Sequence, residues 1–193
     1  MPSLGKFQES LETFAVDEKT IAQIKEGFGN LDSKMPKKER ALYFKQAVDV
    51  LSERVEHETF QEIFEWNACC KGGAREKASK AFAKKNVTLS LAEKLELIKE
   101  VPNMGSPAQN ADGTITVHAV SYSDGEKFLC ACPNYNGVKR DYSVSKNYCF
   151  CCAGHFKYHY EIMLGVKLKT LEIVSSPLDS DGEFPCVIKF AIC

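Results

Sequence analysis

The fold is decided in residues 101–122, which have the sequence VPNMGSPAQNADGTITVHAVSY. The first part, 101–113, is crowded with proline, glycine, asparagine and aspartate, a composition that favours a loop and a boundary between regions. From Thr114 onward, apolar and polar side chains alternate, as they do in a half-buried strand. Helix-type periodicity precedes this stretch and strand-type patterns follow it, so the sequence predicts an α+β protein.

Residues 1–100 are predicted to be a helical region. Asp17 is placed to cap one helix, Pro36 suits the first turn of another, and Thr59–Glu62 and Ser90–Glu93 both have the form of a capping box. Apolar side chains recur at steps of three and four residues, which is helical spacing, at Leu11, Phe14, Ile21, Ile24 and Phe28.

Residues 112–193 are predicted to be an α+β region of the ligand-binding type. A helix is expected over Cys149–Leu164, ended by Gly165. Strands are expected over Thr114–Tyr122, Lys127–Cys132, Leu168–Val174 and Cys186–Ile192. The order ββαββ predicts an antiparallel sheet on which the helical N-terminal half packs, and we expect one integrated domain.

Composition excludes several classes of protein. The 193 residues are 44% hydrophobic and 26% charged, and 25 basic residues against 26 acidic ones give a formal charge of −1. No basic surplus exists to hold nucleic acid, and no run approaches the ~18 apolar residues of a membrane span. The start, MPSLGKFQESLETF, lacks the apolar core of a secretory signal, so we expect a cytoplasmic protein.

Nine cysteines are the unusual feature of this composition. An odd number cannot all pair internally, and clustered thiols in the cytoplasm are more often metal ligands or reactive groups than structural bridges. They also fit a third role, as small buried side chains of the core. Most of them fall into three groups, Cys69 with Cys70, Cys130 with Cys132, and Cys149 with Cys151 and Cys152.

The segment Tyr148–His159, YCFCCAGHFKYH, favours a site made from thiols and imidazole. On a helix, Cys151 and Cys152 stand four and three residues before His155 and share a face with it. Thiolate and imidazole are ligands that zinc takes, and zinc needs about four of them. The predicted metal ligands are Cys130, Cys132, Cys149, Cys151 and His155.

The segment Cys69–Arg75, CCKGGAR, favours an anion-binding turn and a reactive thiol. Glycines before a helix present bare backbone N–H groups at its positive end, and basic neighbours add charge. A cysteine in this position has a lowered pKa and becomes a nucleophile. The predicted ligand-binding residues are Cys69, Lys71, Gly72, Gly73 and Arg75.

Together these motifs predict a small-molecule-binding protein with a pocket lined by cysteine and histidine. A thiol-dependent hydrolase or lyase would use Cys70 and Cys152 as nucleophilic thiols and His155 as proton shuttle, on a small anionic or sulfur-containing substrate. The pattern leaves open whether the protein is an enzyme. The alternatives are a non-catalytic zinc- or ligand-binding sensor module and a purely structural or partner-binding domain. The shared-pocket hypothesis requires the early and late thiols to meet in space.

The three motifs CCKGGAR, CACP at 130–133 and YCFCCAGHFK at 148–157 resemble a cysteine-rich bacterial and archaeal domain family without an assigned function. The C-terminal layout is also distantly similar to 4-vinyl reductase-like and L-2-amino-thiazoline-4-carboxylate hydrolase-like domains. That resemblance implies an α+β fold that binds small molecules, and it matches Cys186 to a cysteine at the opening of the closing strand. It implies no haem ligand in this chain.

Overall fold

The computed structural model describes residues 3–69, 71–120 and 122–193. It is an α+β protein whose helices come first and whose strands follow, as predicted. The helical half contains α1 (Leu4–Thr13), α2 (Glu18–Lys25), α3 (Lys37–Arg54), α4 (His57–Trp66), α5 (Gly73–Lys85) and α6 (Leu91–Ile98).

Side-chain caps fix two of these helix starts as the sequence predicts. The Asp17 carboxylate accepts the Thr20 amide at 3.0 Å, and Ser90 and Glu93 form a reciprocal capping box. The capping box predicted at Thr59–Glu62 is wrong, because α4 already begins at His57. The helix extends back by a turn, with the Phe60 amide bonded to the Glu56 carbonyl at 2.9 Å, so Thr59 lies inside it.

The main sheet has the strand order β1-β2-β6-β5, with every neighbouring pair antiparallel. Its strands are β1 (Ser106–Gln109), β2 (Ile115–His118), β5 (Leu168–Ser175) and β6 (Val187–Ile192). The loop prediction for 101–113 is wrong over β1, since Ser106–Gln109 pairs with β2 across the turn at 110–113. Pro107 is tolerated there because β1 is an edge strand.

The strands predicted over Thr114–Tyr122 and Lys127–Cys132 are too long. The first ends at His118, and the remaining pieces form a separate two-stranded ribbon of β3 (Tyr122–Ser123) and β4 (Phe128–Leu129). The ribbon is bonded to the loop before β6, where the Phe128 amide donates to the Gly182 carbonyl at 2.8 Å. The ββαββ order holds for the sheet, with β1 and β2 as its first pair.

The central helix α7 (Phe150–Leu164) follows a 3₁₀ turn at Lys146–Cys149 and ends at Gly165, whose φ of 76° is the left-handed conformation expected of a helix-ending glycine. It packs against α4, α5 and β5. One continuous apolar core includes side chains from the helical half and from the sheet. In the part of the chain that the structure describes, no helix combines the length and apolar character of a membrane span.

Candidate functional site

A cavity of about 360 Å³ joins the two halves of the chain. The segment after α4, the start of α7 and the residues that follow β2 and β4 contribute to its lining. Early and late thiols therefore meet on one lining, as the shared-pocket hypothesis requires. Cysteine side chains on this lining are Cys69, Cys130, Cys132, Cys149, Cys151, Cys152 and Cys186. The predicted nucleophile Cys70 lies outside the described residues.

Cys69 and His155 form a pair on this lining. The buried His155 ring approaches the Cys69 carbonyl oxygen, with Nδ1 at 3.1 Å. A carbonyl only accepts hydrogen bonds, so Nδ1 carries a proton and donates it here. In the neutral ring the basic lone pair then belongs to Nε2, which leaves this nitrogen as the proton acceptor.

The Cys69 thiol has a pKa well below the ordinary value of a cysteine. Burial raises its pKa, but the side-chain hydrogen bond to His155 and the charge of that ring are among the influences that outweigh burial and lower the pKa to about 6. A thiol with that pKa is mostly thiolate at neutral pH. Cys69 is half-buried, so a small molecule can reach it.

A close contact between two helices brings this pair together. A Cβ atom added to Gly154 would lie 2.6 Å from the Glu65 carbonyl oxygen, so only glycine lets α7 approach the end of α4 so closely. Glu65 also binds Lys157 through an ion pair of 2.9 Å, and its carbonyl accepts a bond from Lys71. The segment that carries Cys69 leaves α4 directly beside α7 for this reason.

The remaining thiols on the lining form a second group, the thiol cluster, whose members interact mainly with each other and with neutral groups. Burial raises the pKa of Cys130 well above its ordinary value and that of Cys132 to about 11. Cys132 Sγ lies 3.3 Å from the Tyr148 hydroxyl, which accepts a bond from Asn134 at 2.9 Å. The thiol cluster consists of Cys130, Cys132, Cys149, Cys151, Cys152 and Cys186.

Two members of the thiol cluster share a buried hydroxyl. Cys149 donates a hydrogen bond to Cys186, which raises the pKa of Cys149 and lowers that of Cys186. The Ser176 hydroxyl lies 3.3 Å from Cys149 Sγ and is also bonded to Cys186. Since Ser176 Oγ accepts the Leu178 amide at 3.1 Å, its own hydrogen is available to a sulfur atom.

Of the predicted anion-binding residues, Arg75 lies on the cavity with Cys69. The structure records no carboxylate partner for Arg75 among the described residues. Lys71, Gly72 and Gly73 are not on the lining. The Lys71 ammonium is directed to the Glu65 carbonyl and the Tyr158 ring, and Glu76 Oε2 would lie 3.8 Å from a Cβ at Gly72. The Glu76 carboxylate therefore lies beside the first turn of α5, where the sequence predicted that an anion binds.

His159 lies one turn beyond His155, with the ring centroids 4.7 Å apart. Its Nδ1 is 2.9 Å from the Ser79 hydroxyl, which donates its hydrogen to the Arg75 carbonyl at 3.1 Å. Nδ1 must therefore be the donor to Ser79. This chain of bonds ties the end of the His155–His159 row to the helix that carries Arg75. Ser79 and Ser176 had no sequence signal, because isolated serines in a helix and a loop have no distinctive pattern.

No group of three or more histidine, cysteine, aspartate or glutamate side chains is arranged to hold a metal ion within residues 3–69, 71–120 and 122–193. Four of the predicted ligands, Cys130, Cys132, Cys149 and Cys151, nevertheless share the cavity with His155. The zinc site predicted from the sequence stays a prediction.

No family model matches this chain, and searches of curated proteins and of solved structures return no similar protein. The family resemblance of the three cysteine motifs stays a prediction, and the site must be interpreted from its own chemistry.

Proposed function

We propose that the cavity binds a small, mainly apolar molecule with one anionic group, and that Cys69 attacks this molecule as the nucleophile of a thiol-dependent hydrolase. The observation that carries the proposal is the hydrogen-bonded pair of Cys69 and His155 on the lining of a cavity. A nucleophilic thiol beside an imidazole, in a space that a substrate can enter, is the arrangement that covalent catalysis needs.

The lining supports a ligand of this chemical class. A volume of about 360 Å³ lies in the range of small-molecule sites, which are mostly apolar with a few polar groups. Arg75 is the cation on the lining and would bind a carboxylate or similar group. Apolar contacts would come from Ala119, Val120, Ala131, Pro133 and Phe156.

The reaction we propose is acyl transfer from a thioester to water. The Cys69 thiolate forms a bond to the carbonyl carbon, and the bond to the leaving thiolate breaks. His155 gives a proton to the leaving group and then takes one from the water molecule that attacks the acylated cysteine. The carboxylic acid leaves, and the Cys69 thiolate is restored.

This proposal revises the roles predicted from the sequence. Cys69, predicted as a ligand-binding residue, becomes the nucleophile, and His155 keeps its role as proton shuttle. We assign His155 to this pair and not to a metal. Cys152 lies on the same cavity but enters no step. The described cysteines are free thiols, and the reduced state that the reaction needs is the one that a cytoplasmic location maintains.

Two matched thioesters test the proposal. Both carry the same aryl thiol on a four-carbon acyl chain, one ending in a carboxylate and the other in its neutral methyl ester. We expect the protein to hydrolyse the carboxylate compound faster, with an acyl group found on Cys69 by peptide mass spectrometry. Cys69→Ala should abolish hydrolysis and adduct.

Cys152→Ala is the control, since it removes a neighbouring thiol of the same cavity. It should leave both the hydrolysis rate and the adduct on Cys69 in place. Hydrolysis that survives Cys69→Ala, or an adduct found only on other cysteines, would overturn the proposal. Failure of the wild-type protein to form any adduct with either thioester would overturn it as well.

A further inference from the structure

We infer that the cavity selects substrates that contain an amide group, and that Asn103 is the specificity-determining residue that recognises this group by hydrogen bonds. The inference rests on the function proposed for the cavity and narrows its substrate to a small, mainly apolar acid that carries one amide. The sequence indicated only a loop at 101–113, and the proposed hydrolysis gives Asn103 no step.

The first argument is the choice of polar groups on the lining. The His155 ring is bonded to the Cys69 carbonyl, and the Tyr148 hydroxyl already accepts a bond from within the chain. Among the described lining residues, Asn103 is the one whose side chain offers an N–H₂ donor and a carbonyl acceptor together. A neutral ligand group that also donates and accepts, such as an amide, is its chemical counterpart.

The second argument is that the chain itself does not use this carboxamide. The structure records no hydrogen bond from the Asn103 side chain to any described residue, and the residue is exposed. Asparagine side chains that stabilise this fold bond to the chain itself, as do those of Asn67, Asn86 and Asn110. The Asn103 carboxamide is therefore available to a ligand in the cavity.

The third argument is the backbone conformation at this position. Asn103 has a φ of 63°, in the left-handed region that asparagine tolerates better than most residues with a Cβ atom. Residues held in such sparsely populated conformations cluster at binding and active sites. Of the three described residues other than glycine with a positive φ, Asn103 is the one on the cavity lining, and the others are Ala15 and Asp181.

The fourth argument is the fixed position of the loop that carries this side chain. The Tyr160 hydroxyl on α7 donates to the Met104 carbonyl at 2.5 Å, and the Met104 side chain is buried. A Cβ atom at Gly105 would lie 2.5 Å from the His118 carbonyl oxygen and 3.3 Å from the Phe156 ring, so the loop packs closely against β2 and α7. Because the loop is already ordered, a hydrogen bond to a ligand has little further ordering cost.

Two matched ligands test the inference by binding alone. Each is a thioether analogue of an aryl thioester, in which a methylene group replaces the reacting carbonyl, and each ends in a carboxylate. One chain contains a secondary amide, and the other has an ester in its place, which lacks the N–H donor and is a weaker acceptor. In calorimetric titrations of the reduced protein, we expect the amide compound to bind about 5- to 10-fold more tightly, the size of a neutral hydrogen bond.

Asn103→Gly should remove this preference without altering the loop. Glycine adopts a positive φ at no steric cost, so the substitution removes the carboxamide and keeps the turn. The amide compound should bind about 5- to 10-fold more weakly to this variant, and the ester compound should bind about as well as before. Asn30→Gly is the control, since Asn30 is exposed and is not on the cavity lining, and it should keep the full preference.

The outcomes distinguish this inference from the proposed hydrolysis. Equal binding of the two compounds to the wild-type protein, or a preference that survives Asn103→Gly, would overturn the role of Asn103 and leave Cys69 as the nucleophile. An intact amide preference in a protein that hydrolyses no thioester would support Asn103 and overturn the hydrolysis. If the wild-type protein binds neither compound, both the cavity as a binding site and its selection by Asn103 are wrong.

Discussion

Cysteine side chains on the cavity lining lie in two different electrostatic environments. Beside the His155 ring, the Cys69 thiol has a pKa of about 6. In the thiol cluster, surrounded by sulfur, tyrosine and apolar groups, Cys132 has a pKa of about 11. Burial raises the pKa of both thiols, and the hydrogen bond to His155 and the charge of that ring are among the influences that lower the pKa of Cys69 alone. The contrast teaches that the partner of a thiol, and not the number of cysteines around it, decides which one is reactive.

The two parts of the lining also differ in how they are built. The Cys69–His155 pair depends on contact between α4 and α7, where Gly154 touches the Glu65 backbone. The thiol cluster is held by the start of α7 together with irregular segments after β4 and before β6. The pair should therefore be the part that a change in helix packing damages first.

The largest expected effect follows from placing a methyl group into that contact. Gly154→Ala would put a Cβ atom 2.6 Å from the Glu65 oxygen and 2.8 Å from its Cα, which are backbone atoms that cannot rotate away. We expect about 3 kcal/mol of lost stability, at the upper end for overpacked sites, and loss of the low pKa of Cys69. Urea unfolding and thiol alkylation measure the two effects.

Gly5→Ala is the matched control for that substitution. Gly5 also lies in a helix, but a Cβ there would meet nothing within 4 Å. Alanine should raise stability slightly, by about 0.5 kcal/mol, since it reduces the freedom of the unfolded chain. If both variants lose stability equally, the close contact of α7 with α4 does not hold the pair together.

Much of the fold was accessible from the sequence because local rules govern it. The helix at α7 and its end at Gly165 follow from periodicity and from the freedom of glycine, and Asp17 caps α2 as predicted. The strand β1 was not accessible, because Ser106–Gln109 looks like a turn and becomes a strand only by pairing with β2. The placement of β4 outside the main sheet was likewise not accessible, because its contact with Gly182 joins residues distant in the sequence.

Part of the cavity lining was predictable from the sequence, but the roles of its residues were not. Clustering alone indicated that Cys69 and Cys149–Cys152 matter, and the structure brings them to one cavity. Choosing between adjacent cysteines requires knowing which of them meets His155, and the contact of this ring with the Cys69 carbonyl joins residues 86 positions apart.

Removal of the Cys69 thiol should abolish the difference in alkylation rate between the two parts of the lining. At pH 6.5 the wild-type protein should show rapid alkylation of Cys69 by iodoacetamide, because a thiol with a pKa of about 6 is then largely thiolate. In Cys69→Ala, the fastest remaining thiol should react about 10-fold more slowly. Mass spectrometry of samples quenched at successive times identifies the alkylated cysteine. A rapid phase that persists in Cys69→Ala but vanishes in Cys152→Ala would transfer the role to Cys152.

Substitution of His155 should bring the pKa of the Cys69 thiol towards that of an ordinary cysteine while the thiol itself stays in place. The pKa of Cys69 lies below its ordinary value, so its alkylation rate should reach half of its maximum near pH 6 and fall at lower pH. In His155→Gln that midpoint should rise by about 2 pH units, towards the ordinary range of a thiol. His118→Gln is the control, since His118 is exposed and is not on the cavity lining, and it should keep the wild-type midpoint. An unchanged midpoint in His155→Gln would mean that another group sets the acidity.

The smallest expected effect is on the preference of Cys69 for an anionic over a neutral reagent, a ratio that does not depend on how far the thiol is ionised. Iodoacetate is anionic and iodoacetamide neutral, so Arg75 should speed only the reaction of the former with Cys69. Arg75→Gln should lower the ratio of the two rates by about 3- to 5-fold, the size of a screened attraction near 1 kcal/mol. Lys77→Gln removes an exposed cation from the same helix and should leave the ratio unchanged. If both substitutions lower it equally, the general field of α5 attracts the anion, and Arg75 does not select the substrate.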